Sequence, residues 1–238
     1  MHGPARPTTT DPAEARQTVP PAPGALAPPQ LRRLGRADYL ATLAAMREYT
    51  EARGPGTPDQ IWSCEHPPVF TTGLATRDGH MHAVGEIPVV ATERGGQVTY
   101  HGPGQVVAYL LLDLHRRKLA VRELVHRMEA AAIATAADWG VATLRRPGAP
   151  GLYLAGPDGA PGAKIASLGL KVRRGCTFHG IAFNARMDLS PFERIDPCGF
   201  PGLAVTDLAR VSGRDVEPAD VAERLLHHLC EVLDRRPE

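Results

Sequence analysis

The sequence predicts an α+β fold, a mixed central sheet flanked by helices, on three observations. Strand-length apolar runs and amphipathic helical stretches are interspersed along the chain. The central strand-like runs are joined by tight turns rather than by helices, which argues against a doubly wound parallel sheet. At 238 residues, with 43% hydrophobic and 22% charged, the chain has material for one ordinary core.

Residues 1–30 hold 8 of the 23 prolines and no aromatic residue. Such a segment buries too little apolar surface to offset its ordering entropy, so a disordered tail is expected there and a single domain over 31–238. The first helix is predicted over Ala37–Arg53, with Leu40, Leu43, Ala44 and Met46 as its apolar face. Strands follow at Gln60–Cys64 and Pro88–Ala91. The Gly102-Pro103-Gly104 turn separates a strand at Val98–Tyr100 from the apolar run Gln105–Leu112. A long amphipathic helix spans Val121–Trp139 and ends at Gly140. Gly151–Ala155, Lys164–Val172 and Thr177–Ala185 read as strands, and a last helix runs from Pro218, tolerated at a helix start, to Arg235.

A net charge of +1 argues against a nucleic-acid binder built on a strong positive field and leaves room only for a local basic patch. Cysteines 64, 176, 198 and 230 include no CxxC spacing, so free thiols in a reducing compartment are expected. The longest apolar run, Val106–Leu112, falls far short of the roughly 18 residues that cross a bilayer, and no secretory apolar stretch opens the chain. A cytoplasmic protein without membrane association is the expectation.

Three segments carry chemistry. Residues 93–105, ERGGQVTYHGPGQ, combine four glycines with Arg94, Gln97, Tyr100 and His101. Glycine lets backbone approach a ligand, and structural turns alone do not require those polar side chains. The pattern is neither GxGxxG nor a Walker sequence. Lys164 opens the run KIASLGLK; by itself it reads as a surface lysine guarding a strand edge. Cys198 stands in a Pro-Cys-Gly turn, which presents a thiol to a cleft, whereas Cys64, Cys176 and Cys230 sit where structural cysteines do. His80 and His82 lack a further ligand cluster and read as solvated, so no metal is expected.

In order and spacing, HPPVFTTG at 66–73, RGGQVTYHGPGQ at 94–105, KIASLGLKVRRG at 164–175, FHGIAFN at 178–184 and DLSPFERIDPCG at 188–199 resemble the lipoyl(octanoyl) transferase family. That family has a biotin/lipoate ligase-like catalytic domain and moves octanoyl from acyl carrier protein to lipoyl domains. The resemblance implies that Cys198 carries the acyl group as a thioester and that Lys164 tunes it. It implies an acyl pocket lined by Arg94, Gly95, Gly96, Gln97, Val98, Thr99, Tyr100, His101, Ser167, Leu168, Gly169, Gly180, Ile181 and Ala182. The implied partners are octanoyl-acyl carrier protein as donor, with lipoyl domains of 2-oxoacid dehydrogenase E2 subunits and the glycine cleavage H protein as acceptors. No cofactor is implied.

A thioester donor calls for a thiolate more than for a strong base, and an ammonium beside a thiol lowers its pKa from about 8.5. Lys164, or His179 as its supporting neighbour, would take the proton of the incoming amine. Backbone N–H groups at Gly180 and Cys198 would hold the oxyanion. Two rival readings are an ATP-dependent lipoate or biotin ligase and an inactive lipoyl-domain-binding scaffold. Lys164 would serve the ligase equally, but Cys198 serves the transferase alone.

Overall fold

A computed structural model describes residues 26–235; the greater part of the expected tail, residues 1–25, lies outside the described residues. The chain runs through β1 (Gln30–Arg36), α1 (Tyr39–Glu51), β2 (Gln60–Glu65), β3 (Val69–Thr72), β4 (Val89–Ala91), β5 (Thr99–His101) and β6 (Gln105–Leu111). Then come α2 (Leu114–Arg117), α3 (Val121–Asp138), β7 (Thr143–Leu144), β8 (Gly151–Ala155), β9 (Pro161–Arg173) and β10 (Cys176–Asn184). Two 3-10 turns, Ser190–Arg194 and Pro197–Gly199, precede α4 (Leu208–Ser212) and α5 (Pro218–Asp234).

The main sheet has the order β1-β2-β6-β10-β9-β8-β7, and only β1 and β2 pair parallel within it. A smaller sheet has the order β4-β3-β5, with β3 parallel to β4. The mixed α+β architecture therefore holds, but one expected join does not. The Gly102–Gly104 turn does not close a hairpin: β5 pairs with β3 in the small sheet while β6 enters the middle of the large one. The glycine at 104 makes that crossing possible, because φ is +83° and a Cβ there would lie 1.8 Å from Arg186 O.

Two cores sandwich the main sheet. On one face α3 and α5 bury Leu124, Met128, Leu225 and Leu229 against Leu110, Leu152 and Phe183. On the other, Tyr39, Leu43 and Met46 of α1 cover Trp62, Val107, Tyr109 and Phe178. The expected face of α1 is thus half corrected: Leu40 and Ala44 point to solvent, and Tyr39 and Thr42 take their place. The helix starts two residues later than predicted because Asp38 is its N-cap, its side chain accepting from Ala41 N at 2.8 Å. No helix among the described residues is long and apolar enough to cross a membrane.

Candidate active site

The cleft opens on the α1 face of the main sheet. Alternation along the strands puts Val107 and Tyr109 of β6 and Ala182 of β10 on that face. The loop before β5 folds over it, where Gly95 N donates to Leu170 O at 2.8 Å. Glycine at 169 permits this closeness, since a Cβ there would lie 2.8 Å from Gly95 O and 3.2 Å from Arg94 Cδ. The empty space there, counted out into the open solvent at its mouth, is about 510 Å³.

Of the residues expected to line it, Arg94, Gly96, Gln97, Val98, Thr99, His101, Ser167, Leu168, Gly169, Gly180, Ile181 and Ala182 do so. Gly95 and Tyr100 do not. Gly95 spends its backbone on β9, and Tyr100 packs between Phe70 and Phe192 under the small sheet. Tyr39, Val107 and Tyr109 line the cleft as well. Periodicity assigns such residues to the core, so nothing in the sequence separated them from it.

A buried polar network forms the floor. Arg94 Nη2 donates to Thr71 O at 2.8 Å and to Thr71 Oγ1 at 2.9 Å. The Thr71 hydroxyl faces His101 Nε2 at 3.3 Å, and His101 Nδ1 donates to Gln105 Oε1 at 2.7 Å. Gln105 Nε2 donates to Asn184 Oδ1 at 2.9 Å, and Asn184 Nδ2 to Thr206 O at 2.9 Å. Next to this chain, His66 Nδ1 donates to Ala37 O at 2.7 Å, which leaves Nε2 to accept from the Tyr109 hydroxyl at 2.7 Å. Burial, then His66, pushes His101 down to about 3; burial, then Arg94, pushes His179 down to about 3. Both imidazoles are neutral at physiological pH.

His179 lines the cleft, but away from where the sequence placed it. It pairs with Leu170, six residues along β9 from Lys164, a separation of about 20 Å at strand rise. It is therefore no neighbour of that lysine, and its Nε2 is buried without a hydrogen-bond partner. Its φ of +62° in mid-strand marks local strain beside Gly180, where a Cβ would lie 2.0 Å from Ala108 O. Gly180 pairs with both Tyr109 and Gly169, so its amide lies in the sheet plane rather than in the cleft.

Lys164 is not an edge lysine either. It is 1% exposed and lies inside the main sheet, with Tyr153 of β8 as its register partner. Its own N–H donates to Ala204 O at 2.8 Å, and Thr206 N donates to Lys164 O at 2.9 Å. The chain returning from the Pro197–Gly199 turn is thereby laced to Lys164 six residues after Cys198. The turn's other flank meets the glycine loop: at Gly199, φ +68°, a Cβ would lie 2.0 Å from Gln97 Oε1. His82 adds a tether, Nε2 to Asp196 Oδ1 at 3.1 Å, so it is hydrogen-bonded rather than merely solvated. The backbone thus carries the Pro-Cys-Gly turn between the cleft's loop and Lys164.

The remaining thiols lie elsewhere. Burial pushes Cys64 up to about 12 and also raises Cys176 and Cys230, so none of the three favours a thiolate.

A family model for the lipoyl protein ligase A/B catalytic domain matches residues 38–230. The chain belongs to this family. An octanoyltransferase of Cupriavidus pinatubonensis is 53% identical over 221 residues, covering 89% of this chain and 87% of the relative. One of Methylibium petroleiphilum is 52% identical, covering 84% and 98%. The family fold is shared more widely. A bi-partite lipoate protein ligase of Thermoplasma acidophilum superposes with a TM-score of 0.67 at 16% identity, covering 87% of this chain and 84% of that one. The biotin protein ligase of Aquifex aeolicus gives 0.53 at 13% identity, covering 86% and 70%. With relatives half-identical along most of the chain, the protein is an acyltransferase of this family.

Proposed function

We propose that this acyltransferase moves an octanoyl group from octanoyl-acyl carrier protein to the lysine of a lipoyl domain through a thioester on Cys198, in the cytoplasm. The observation that carries the reading is the lacing of the Pro-Cys-Gly turn's returning chain to the buried Lys164, beside the cleft under the glycine loop. Burial raises the three other cysteines, which supports Cys198 as the choice of acyl carrier.

The protons balance with Lys164 alone. In the resting state of this reading Cys198 is a thiolate and Lys164 an ammonium. Sulfur attacks the octanoyl thioester, the carrier's sulfur leaves, and it takes its proton from Lys164. The acceptor's neutral amine then attacks the Cys198 thioester, gives its proton to Lys164, and expels the thiolate. The oxyanion falls to the backbone N–H of Cys198, since Gly199 N already donates to Asp196 O at 2.9 Å and the amide of Gly180 is turned away. The cleft takes the acyl chain, whose burial contributes about 0.8 kcal/mol per CH₂.

Intact-mass analysis after incubation with octanoyl carrier protein, without ATP, tests this. The expected result is one octanoyl adduct, lost in Cys198→Ala and kept in Cys176→Ser. Acylation that appears only with ATP would sink the reading in favour of a ligase.

A further inference from the structure

A β-bulge decides where Lys164 points. Ala166, Leu168, Leu170 and Val172 of β9 belong to the core under α3 and α5, and strict alternation would send Lys164 with them. The register with β8 prevents it. Leu152 pairs with Ala166 and Tyr153 with Lys164, so Ile165 is an extra residue on β9. Ile165 and Ala166 both enter the helix-side core, and Lys164 is re-aimed to the opposite face, that of the cleft.

On that face a cradle made by residues 149–153 receives it. Lys164 Nζ donates to Pro150 O at 3.0 Å and to the Tyr153 hydroxyl oxygen at 3.2 Å. The hydroxyl's single proton is committed to Ala149 O at 3.1 Å, which turns an oxygen lone pair toward the ammonium. Gly151 leaves the room: φ is +145°, and a Cβ there would lie 2.7 Å from both Cε and Nζ of Lys164. Arg146 spans the gap to the Cys198 turn, its guanidinium 4.3 Å from the Phe200 ring centroid and 5.9 Å from that of Tyr153.

We infer that Tyr153 is a positioning residue for the reaction: its hydroxyl holds the Lys164 ammonium at one place, so that its charge and the proton exchanged with donor and acceptor are presented from a fixed position. This rests on the proposed role of Lys164. A lysine side chain has four rotatable bonds, and an ammonium left to swing would stabilise the thiolate less.

Tyr153→Phe in the full chain deletes one oxygen and keeps the ring. Acylation of Cys198 is expected to slow by about tenfold, the scale of one hydrogen bond to a charged group. The KM for octanoyl carrier protein stays within about twofold. The acid limb of the rate–pH profile moves to higher pH, because a less anchored ammonium favours the thiolate less. A purely structural tyrosine would lower the melting temperature and leave that limb in place. If Tyr153→Phe does not fold, 3-fluorotyrosine at 153 keeps the shape with a weaker acceptor and must move the limb the same way by less. A wild-type rate with an unmoved acid limb in the variant that folds overturns the inference. An octanoyl adduct that survives Cys198→Ala sinks the thioester reading instead, and the role of Tyr153 with it.

Discussion

A methyl group at position 180 has nowhere to go. Its Cβ would sit 2.0 Å from Ala108 O and 3.0 Å from Leu110 Cδ1, and the first neighbour is sheet backbone that cannot turn aside. Gly180→Ala is therefore expected to lower unfolding free energy by about 3 kcal/mol, the upper range for overpacking, read from urea midpoints at unchanged slope. Thiol chemistry gives a second expectation. Because burial raises Cys64, Cys176 and Cys230, iodoacetamide at neutral pH should label native wild type once and native Cys198→Ala almost not at all. A fast adduct remaining in Cys198→Ala would mean that another thiol is the reactive one. Individual residues also show what a chain reveals of its own site. The glycines, Arg94 and His101 stood out because a mere turn does not need them. Tyr39, Tyr109 and Tyr153 did not, because an aromatic residue on an apolar face satisfies the core pattern whether or not its hydroxyl works.

Among elements, the long strands buried on both faces read clearly. All seven residues of β6 and all nine of β10 are buried, and both were visible as apolar runs. β1 was invisible for the opposite reason: QLRRLGR is an edge strand with exposed arginines, and its pairing to β2 leaves no alternation to detect. The bulge in β9 was equally hidden, since one extra residue changes register without changing composition. β7, at 2 residues, is too short for any period to show. The α1 cap makes an element-scale test. Asp38→Ala removes the acceptor of Ala41 N and should cost about 1 kcal/mol. For a domain of this size that is a fall of about 2–4 °C in melting temperature. The cleft should keep its affinity for an acyl chain, because Tyr39 is still packed against His66 and His101. A loss of acylation beyond the loss of folded protein would show that the cap acts on the cleft itself.

At the scale of the whole molecule, the buried histidines make stability depend on pH in a window of their own. His66, His101 and His179 are all held below the ordinary value of 6.5, with burial as the largest cause, and the last two fall to about 3. A group depressed in the folded state binds its proton in the unfolded chain first. Its stabilisation is therefore complete above the unfolded value and drains away as pH falls from about 6.5 toward 3. Each of His101 and His179 should account for about 2 kcal/mol of lost stability by pH 5, at up to about 1.4 kcal/mol per pH unit. The carboxylates act lower. Asp59 illustrates them: burial pushes it up, but Arg117, the Asp113 N–H and Arg116 outweigh that and hold it below its ordinary value. Its contribution is lost only as pH drops beneath about 4. Urea unfolding at pH 7, 6 and 5 separates the two sets. Wild type should lose several kcal/mol across that range, and His179→Gln should lose less by about one proton's slope. Equal slopes in the two proteins would mean that His179 is protonated in the folded state, and its orphaned Nε2 would then need an anion in the cleft beside it.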